Sequence, residues 1–267
     1  RSSSAASDVY KRQLYSRHWN PINKYLAGAL AKLEDSEAAV VTSSGMSAIS
    51  CTLLQLCGCG DEIISSPTIY GGTYALFKNF LPRLGVKVHF INPADVEGVE
   101  RLITDRTKVI YCEAMNNPLL EIADIPTLSR LAEKHQLTLV VDNTFSPLII
   151  SPARMGAQVV IHSLTKFING TSDCVAGCVC SSDDFIHQMT DVNSGAAMLL
   201  GPVLDSYRAA SILKNLHSLH IRMQRHSANA LFLAEKLEKL GLKVFYPGLP
   251  SHRQHELIKQ IGNPGFG

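Results

Sequence analysis

Gly156-Ala-Gln-Val-Val-Ile-His-Ser-Leu-Thr-Lys-Phe167 is a run of apolar and small residues that closes on His162, Ser163, Thr165 and Lys166. The apolar part reads as a buried β-strand. A strand that ends in two hydroxyls and a lysine is an unusual place for a cation. Lysine is almost never fully buried unless something pairs with it or its charge is removed. One way to remove the charge is to tie the amine up as an imine. On this stretch alone, a lysine that marks the solvent end of a strand is the slightly better reading.

Leu137-Thr-Leu-Val-Val-Asp-Asn-Thr-Phe145 shifts that balance. It is a second β-rich apolar run, and it ends in the carboxylate Asp142. Parallel strands deliver their last residues to the same sheet edge, where α/β sheets bind ligands. Asp142 alone fits a strand-end cap or a metal ligand. A carboxylate beside an imine-forming lysine fits pyridoxal 5'-phosphate (PLP), whose pyridine nitrogen needs an anionic partner to stay protonated and draw electrons from the substrate. Together the two strands favour a cofactor site.

Val141-Asp-Asn-Thr-Phe145 and His162-Ser-Leu-Thr-Lys-Phe167, in this order and at this separation, resemble the Cys/Met-metabolism family of PLP-dependent enzymes. The likeness runs over nearly everything from Tyr15 onward. It implies an α/β fold of the aspartate-aminotransferase type (fold type I), a mostly parallel sheet with helices on both faces. In such a fold Lys166 holds PLP as a Schiff base and then acts as base on the substrate α-carbon. Asp142 faces the ring nitrogen.

The same resemblance assigns further roles. Tyr15-Ser-Arg17 matches a motif whose Tyr and Arg reach the cofactor phosphate of a neighbouring subunit, which implies a homodimer with shared sites and a homotetramer built from two of them. Arginine suits the task because its planar fork binds phosphate in two places. Ser43-Ser-Gly-Met46 is a turn opening a helix, a natural phosphate seat by its free N–H groups and dipole, though many helices begin with Ser and Gly as mere caps. By resemblance Gly45 and Met46 donate backbone N–H groups there, and Ser163 and Thr165 add hydroxyls. Tyr70, before a Gly-Gly pair, stacks on the ring and relays protons. Some bacterial branches carry a cysteine two residues after that tyrosine, where this chain has Gly72. Asn117, before Pro118, is a good turn former in its own right, and by resemblance lies beside the cofactor's phenolic oxygen and the substrate carboxylate.

Composition narrows the classes. With 267 residues, 46% of them hydrophobic, the chain can bury a large core. Its net charge is +2 with no basic tract, so nothing points to nucleic acid or an anionic membrane. No apolar run approaches the ~20 residues that span a bilayer. Seven cysteines lie scattered, several in apolar segments, without the paired spacing of a zinc site, as suits reduced thiols in a cytoplasmic protein. No metal site is expected; His217, His220 and His226 read as solvated or core-edge.

From residue 38 to 191, strands alternate with helices, the pattern of a sheet covered on both faces. Helices are expected over 22–34, 45–56, 96–104, 125–135 and 183–191. A further helix should run from the 68–73 turn to about Arg83, and a long helical stretch from 202 to 240. Strands are expected over 61–66, 86–91, 108–113 and 174–180, with one more opening at 242–246. Residues 1–13 lack periodicity and read as an extraneous tail. The large cofactor domain is placed at 14–213 and the start of a second, smaller domain at 214–267. Residues 262–267 form a turn rather than an ending, and family members continue further, so the chain reads as truncated. The arginine that grips the substrate carboxylate is then expected beyond Gly267, since Arg208, Arg222, Arg225 and Arg253 sit in no matching segment.

The implied chemistry is sulfur amino-acid cleavage. The text closest to Ser43-Ser-Gly-Met-Ser-Ala-Ile49 and Met198-Leu-Leu-Gly-Pro202 favours the branch that releases a thiol, 2-oxobutanoate and ammonia from methionine by α,γ-elimination. Formation or cleavage of cystathionine is the alternative, since that chemistry shares every motif named. A non-catalytic protein of this fold is the remote reading, and the presence of both Lys166 and Asp142 speaks against it.

Overall fold

The computed structural model describes residues 15–18, 20–117 and 119–263. The tail at 1–13, Pro118 and residues 264–267 of the terminal turn lie outside the described residues.

Helix α1 (Pro21–Glu34) opens with Pro21, whose missing N–H costs nothing at a first turn, and with Asn20, whose side chain accepts the Ile22 N–H at 3.1 Å. It ends where Asp35 turns left-handed at φ 61°. Strand β1 (Ala38–Thr42) and helix α2 (Gly45–Leu56) follow, then β2 (Glu62–Ser65) and α3 (Gly71–Ala75). Next come β3 (Lys87–Phe90), α4 (Val96–Leu102), β4 (Thr107–Glu113) and α5 (Ile125–Lys134). Strands β5 (Thr138–Asp142), β6 (Val159–Ser163) and β7 (Gly177–Ser181) complete the sheet. Helices α6 (Asp183–Met189), α7 (Ala196–Leu200), α8 (Ser206–Leu216), α9 (Leu219–Lys239) and α10 (His255–Ile261) close the described chain.

The strands form one sheet in the order β1-β7-β6-β5-β4-β2-β3. From β3 through β6 every pairing is parallel, while β7 runs antiparallel to both β6 and β1. Both faces are buried, and the strand side chains divide between them with a period of two. Ile110, Cys112, Leu139, Val141 and Val160 face one core, which α1, α5 and α8 cover with residues such as Leu30, Leu128 and Ile212. Val109, Tyr111, Val140, Val159 and Ile161 face the other, covered by Ile49 and Leu53 of α2. The expected α/β architecture, a mostly parallel sheet clad on both sides, is the one observed.

Three local expectations differ. Residues 242–246 are not a strand: among the described residues they belong to no ladder of the sheet, and an extended segment becomes a strand only through a ladder partner. The segment to Arg83 is not one helix. After α3 it widens so that the Leu81 N–H bonds to the Leu76 carbonyl, then tightens over Leu81–Leu84, where Pro82 has no N–H to continue a regular helix. The 202–240 stretch is two helices, α8 and α9, broken at His217 and Ser218.

One buried polar contact joins α1 to the sheet. Glu34 and His162 are almost fully enclosed, and the His162 Nε2–H donates to Glu34 Oε1 at 2.6 Å. The Asn143 side-chain amide donates to the same oxygen at 2.9 Å. Glu34→Ala should therefore lose about 3–5 kcal/mol in a denaturant titration, because two buried donors are left without an acceptor. Glu34→Gln keeps the accepting oxygen and should lose less than half as much. An alanine variant within about 1 kcal/mol of wild type would show that the contact does not hold the sheet.

Candidate active site

Asp142 and Ser163 end adjacent parallel strands at one edge. Asp142 lies opposite Ile161, and the Asn143 N–H continues the ladder to the Ile161 carbonyl at 2.8 Å. Thr144 then stitches the two strand ends together. Its N–H donates to Asp142 Oδ1 at 2.9 Å, while its hydroxyl oxygen accepts the Ser163 N–H at 2.7 Å. On the other side of Asp142, Glu113 ends β4 in register with it. Two carboxylates thus stand side by side at the sheet edge.

The N-terminus of α2 meets this edge at Ser163. A Cβ on Gly45 would lie 2.8 Å from Ser163 Cβ and 3.0 Å from its hydroxyl, so only glycine allows the approach. Ser44 and Ser47 cap each other's backbone N–H at 3.0 Å. The N–H groups of Gly45 and Met46, at the first two helical positions, have no acceptor within the helix and carry the positive end of its dipole.

These elements surround a cavity of about 820 Å³. It is lined by every predicted site residue except Tyr15 and Arg17: Gly45, Met46, Tyr70, Asn117, Asp142, Ser163, Thr165 and Lys166. The Arg17 guanidinium instead donates to the Met198 carbonyl at 3.0 Å and to the Tyr15 hydroxyl at 2.5 Å, away from the cavity.

Lys166 stands past the end of the strand, at the solvent-end position that its own stretch slightly favours. The buried strand stops at Ser163, the chain turns, and Lys166 is exposed to the cavity rather than buried. Among the described residues its ammonium has no hydrogen-bond or ion-pair partner, and no other Lys or Arg lines the cavity. The Thr165 hydroxyl accepts the Ala176 N–H at 3.1 Å and so fixes the turn that carries Lys166 against the start of β7. The Tyr70 ring folds back over Gly72, where a Cβ would meet Tyr70 Cε1 at 2.6 Å.

Burial pushes the Asp142 carboxyl above its ordinary range, although the Thr144 contacts and the nearby His162 act the other way. Glu113 is pushed up to about 7, by burial first and by the charge of Asp142 second. The Tyr111 hydroxyl, 3.4 Å from Asp142 Oδ2, is held neutral far above neutrality by the same burial and charges. The cavity therefore offers a buried carboxylate with no ion-pair partner among the described residues, an exposed amine, and a helix N-terminus beside the Ser163 hydroxyl. That donor set fits PLP, whose pyridine nitrogen carries a proton, whose aldehyde takes an amine and whose phosphate is an anion.

Three contributors were not singled out from the sequence as site residues. Glu113 carried the same signal as Asp142, a carboxylate closing a parallel strand. Thr144 lies two residues after Asp142 within the quoted stretch. His226 lines the cavity and packs edge-on against Phe167, with ring centroids 5.6 Å apart; its place on a long helix held no such signal.

A sequence profile of the Cys/Met metabolism PLP-dependent enzymes matches residues 3–266. A methionine gamma-lyase of Arabidopsis thaliana is 45% identical over 256 residues, which is 95% of this chain and 58% of that protein. An O-succinylhomoserine sulfhydrylase of Pseudomonas aeruginosa is 40% identical, over 95% of this chain and 62% of that protein. A solved cystathionine gamma-lyase of Lactobacillus plantarum, complexed with L-serine, superposes with a TM-score of 0.87 at 32% identity, over 95% of this chain and 66% of that one. The chain spans roughly three-fifths of the length of these curated relatives.

The raised Asp142 value has a testable sign. A carboxyl whose folded pKa lies above its unfolded value stabilises the fold fully below the unfolded value, and this is lost as pH rises through the folded one. Without cofactor, Asp142→Asn should gain stability relative to wild type as pH increases from acid to neutral, while binding PLP more weakly. Thermal melts across pH, with and without PLP, check both. A wild-type advantage that grows with pH in the cofactor-free protein would contradict the assignment of an uncompensated buried charge.

Proposed function

The chain belongs to the Cys/Met metabolism family of PLP-dependent enzymes, and from that premise we propose that the protein carrying it is a carbon–sulfur lyase, a methionine gamma-lyase. The reaction is α,γ-elimination of methionine to methanethiol, 2-oxobutanoate and ammonia. The observation that carries the reading is the convergence of Lys166, Asp142 and the α2 N-terminus on one cavity, in a chain 45% identical to a methionine gamma-lyase. The fold type I architecture expected for such enzymes is the one its solved relatives share.

PLP, when bound, supplies an electron sink for charge developing at the substrate α-carbon. Lys166 would hold it covalently and, once released, take the α-proton and return it where the reaction requires. Asp142 would keep a proton on the pyridine nitrogen; its burial strengthens that pairing. Gly45 and Met46 N–H groups, with the Ser163 and Thr165 hydroxyls, would seat the phosphate. Tyr70 would cover the ring and move protons, and Asn117 would orient the phenolic oxygen and the substrate carboxylate.

Tyr15 and Arg17, remote from this chain's own cavity, are proposed to complete the phosphate seat of a neighbouring subunit in a homodimer, with a homotetramer as the full assembly. The smaller unit proposed to begin after Leu213 is supported by a satellite core of Ala234, Tyr246 and Leu249. A cytoplasmic location suits the free cysteines, six of them buried. No helix among the described residues is long and apolar enough to cross a membrane.

A second reading is favoured by relatives of other names. The O-succinylhomoserine sulfhydrylase at 40% identity and a probable cystathionine gamma-synthase of Herpetosiphon aurantiacus, also at 40%, support γ-replacement or cystathionine chemistry on the same site. The experiment is a kcat/KM comparison on methionine, cystathionine and O-succinylhomoserine with sulfide. The proposal expects methionine to rank first, with 2-oxobutanoate and thiol released together. A higher value for either competitor would transfer the assignment to the second reading. Lys166→Ala should lower kcat on the preferred substrate by a factor of about 10³ or more, roughly 4 kcal/mol of barrier.

A further inference from the structure

Glu113 is the one site carboxylate with no role in the chemistry described, yet both its oxygens are engaged. The Tyr70 N–H donates to Oε1 at 2.6 Å, and the Asn117 N–H donates to Oε2 at 3.3 Å. Tyr70 stands at the N-cap of the short helix α3, and its own side chain makes no capping bond. Asn117 sits in the loop after β4 and lines the same cavity. The two loops thus meet on a single carboxylate at a strand end. Glu113 has no ion-pair partner among the described residues, so backbone N–H groups provide its direct stabilisation.

We propose that Glu113 is a positioning residue whose carboxylate clamps the Tyr70 and Asn117 backbones together and so fixes the ring and amide that these loops hold at the cavity. A carboxylate is the group for this task. It accepts on both oxygens with equal strength, and bonds to a charged acceptor are about twice as strong as neutral ones. Glutamine accepts on one oxygen only and would turn an N–H toward the other donor. Aspartate is one methylene shorter.

The clamp responds to pH. Glu113 is pushed up to about 7 by burial and then by Asp142, so it takes up a proton close to neutrality. Once protonated, one oxygen bears hydrogen and no longer accepts from the N–H facing it. The surrounding titratable groups are Asp142, Lys166, Tyr70 and His226 on the cavity side. Tyr111 lies on its own strand, and Cys112, Glu121 and Arg253 line a second cavity of about 240 Å³ that Glu113 also borders. Arg253 is already paired with Glu121, and Tyr111 and Cys112 are held neutral, so Asp142 is the neighbour whose charge acts on Glu113.

The effect on turnover rests on the proposed function, but the clamp itself is readable without cofactor. In the cofactor-free wild-type protein, the amide proton resonances of Tyr70 and Asn117 should shift together with a single midpoint near 7. Near pH 8, Glu113→Gln should remove that titration and speed hydrogen exchange at one or both amides by about tenfold or more, as loss of a bond to a charged acceptor requires. Amides that do not titrate in wild type, or that exchange equally in both proteins, would overturn the clamp. A wild-type protein that shows the titration but takes up no PLP would leave the clamp standing and refute the functional reading instead.

Discussion

A single oxygen atom, Glu34 Oε1, accepts hydrogen bonds from the two residues that flank the working ends of β5 and β6. Asn143 follows Asp142 and His162 precedes Ser163, so fixing these two side chains fixes the edge on which the site is built. Backbone pairing alone sets the register of the strands. It does not set how their last residues turn once the ladder stops. Glu34 from beneath and Thr144 from above supply that constraint, one inside the core and one at the cavity floor. The arrangement buries a carboxylate and an imidazole, a desolvation cost that a helix docked on a sheet by apolar contacts alone would avoid. What it gains is a defined position for both strand ends.

On that edge like charges and a helix dipole are gathered around one cavity. Glu113 and Asp142 are neighbours in register, both pushed upward by burial, and the exposed Lys166 lines the same cavity. At the α2 end the Gly45 and Met46 N–H groups lack acceptors within the helix and carry the positive end of its dipole. Each feature costs stability on its own, and such costs gather at functional sites. A bound molecule with a cationic nitrogen at one end and a phosphate at the other would satisfy both ends at once. Family membership and site geometry therefore reach the same cofactor by independent routes.

Much of this was legible in the sequence. Apolar runs ending in Asp142 and in the His162–Lys166 cluster placed two strand ends at one edge, because parallel strands leave no other choice. The Ser-Gly turn before α2 located the helix terminus that faces them. The stretch around Lys166 by itself favours a lysine at the solvent end of a strand. The turn that aims it into the cavity was not legible, since that depends on where β6 stops and on the Thr165–Ala176 contact, eleven residues apart. Glu113 escaped notice because its importance comes from cross-strand register with Asp142 and from two backbone donors on separate loops. The segment at 242–246 has the composition of a strand, and no local pattern tells whether a partner will lie beside it. Sequence periodicity reports which face is apolar; pairing and turn geometry are properties of the assembled chain.

The central claim is that this cavity seats PLP with Lys166 as its covalent anchor. The most direct test is to load the protein with PLP, reduce it with borohydride, digest it and locate the pyridoxyl group by mass spectrometry. The account predicts the label on the peptide containing Lys166, and on no other lysine at comparable yield. A label concentrated on Lys108 or Lys134, with Lys166 unmodified, would contradict it.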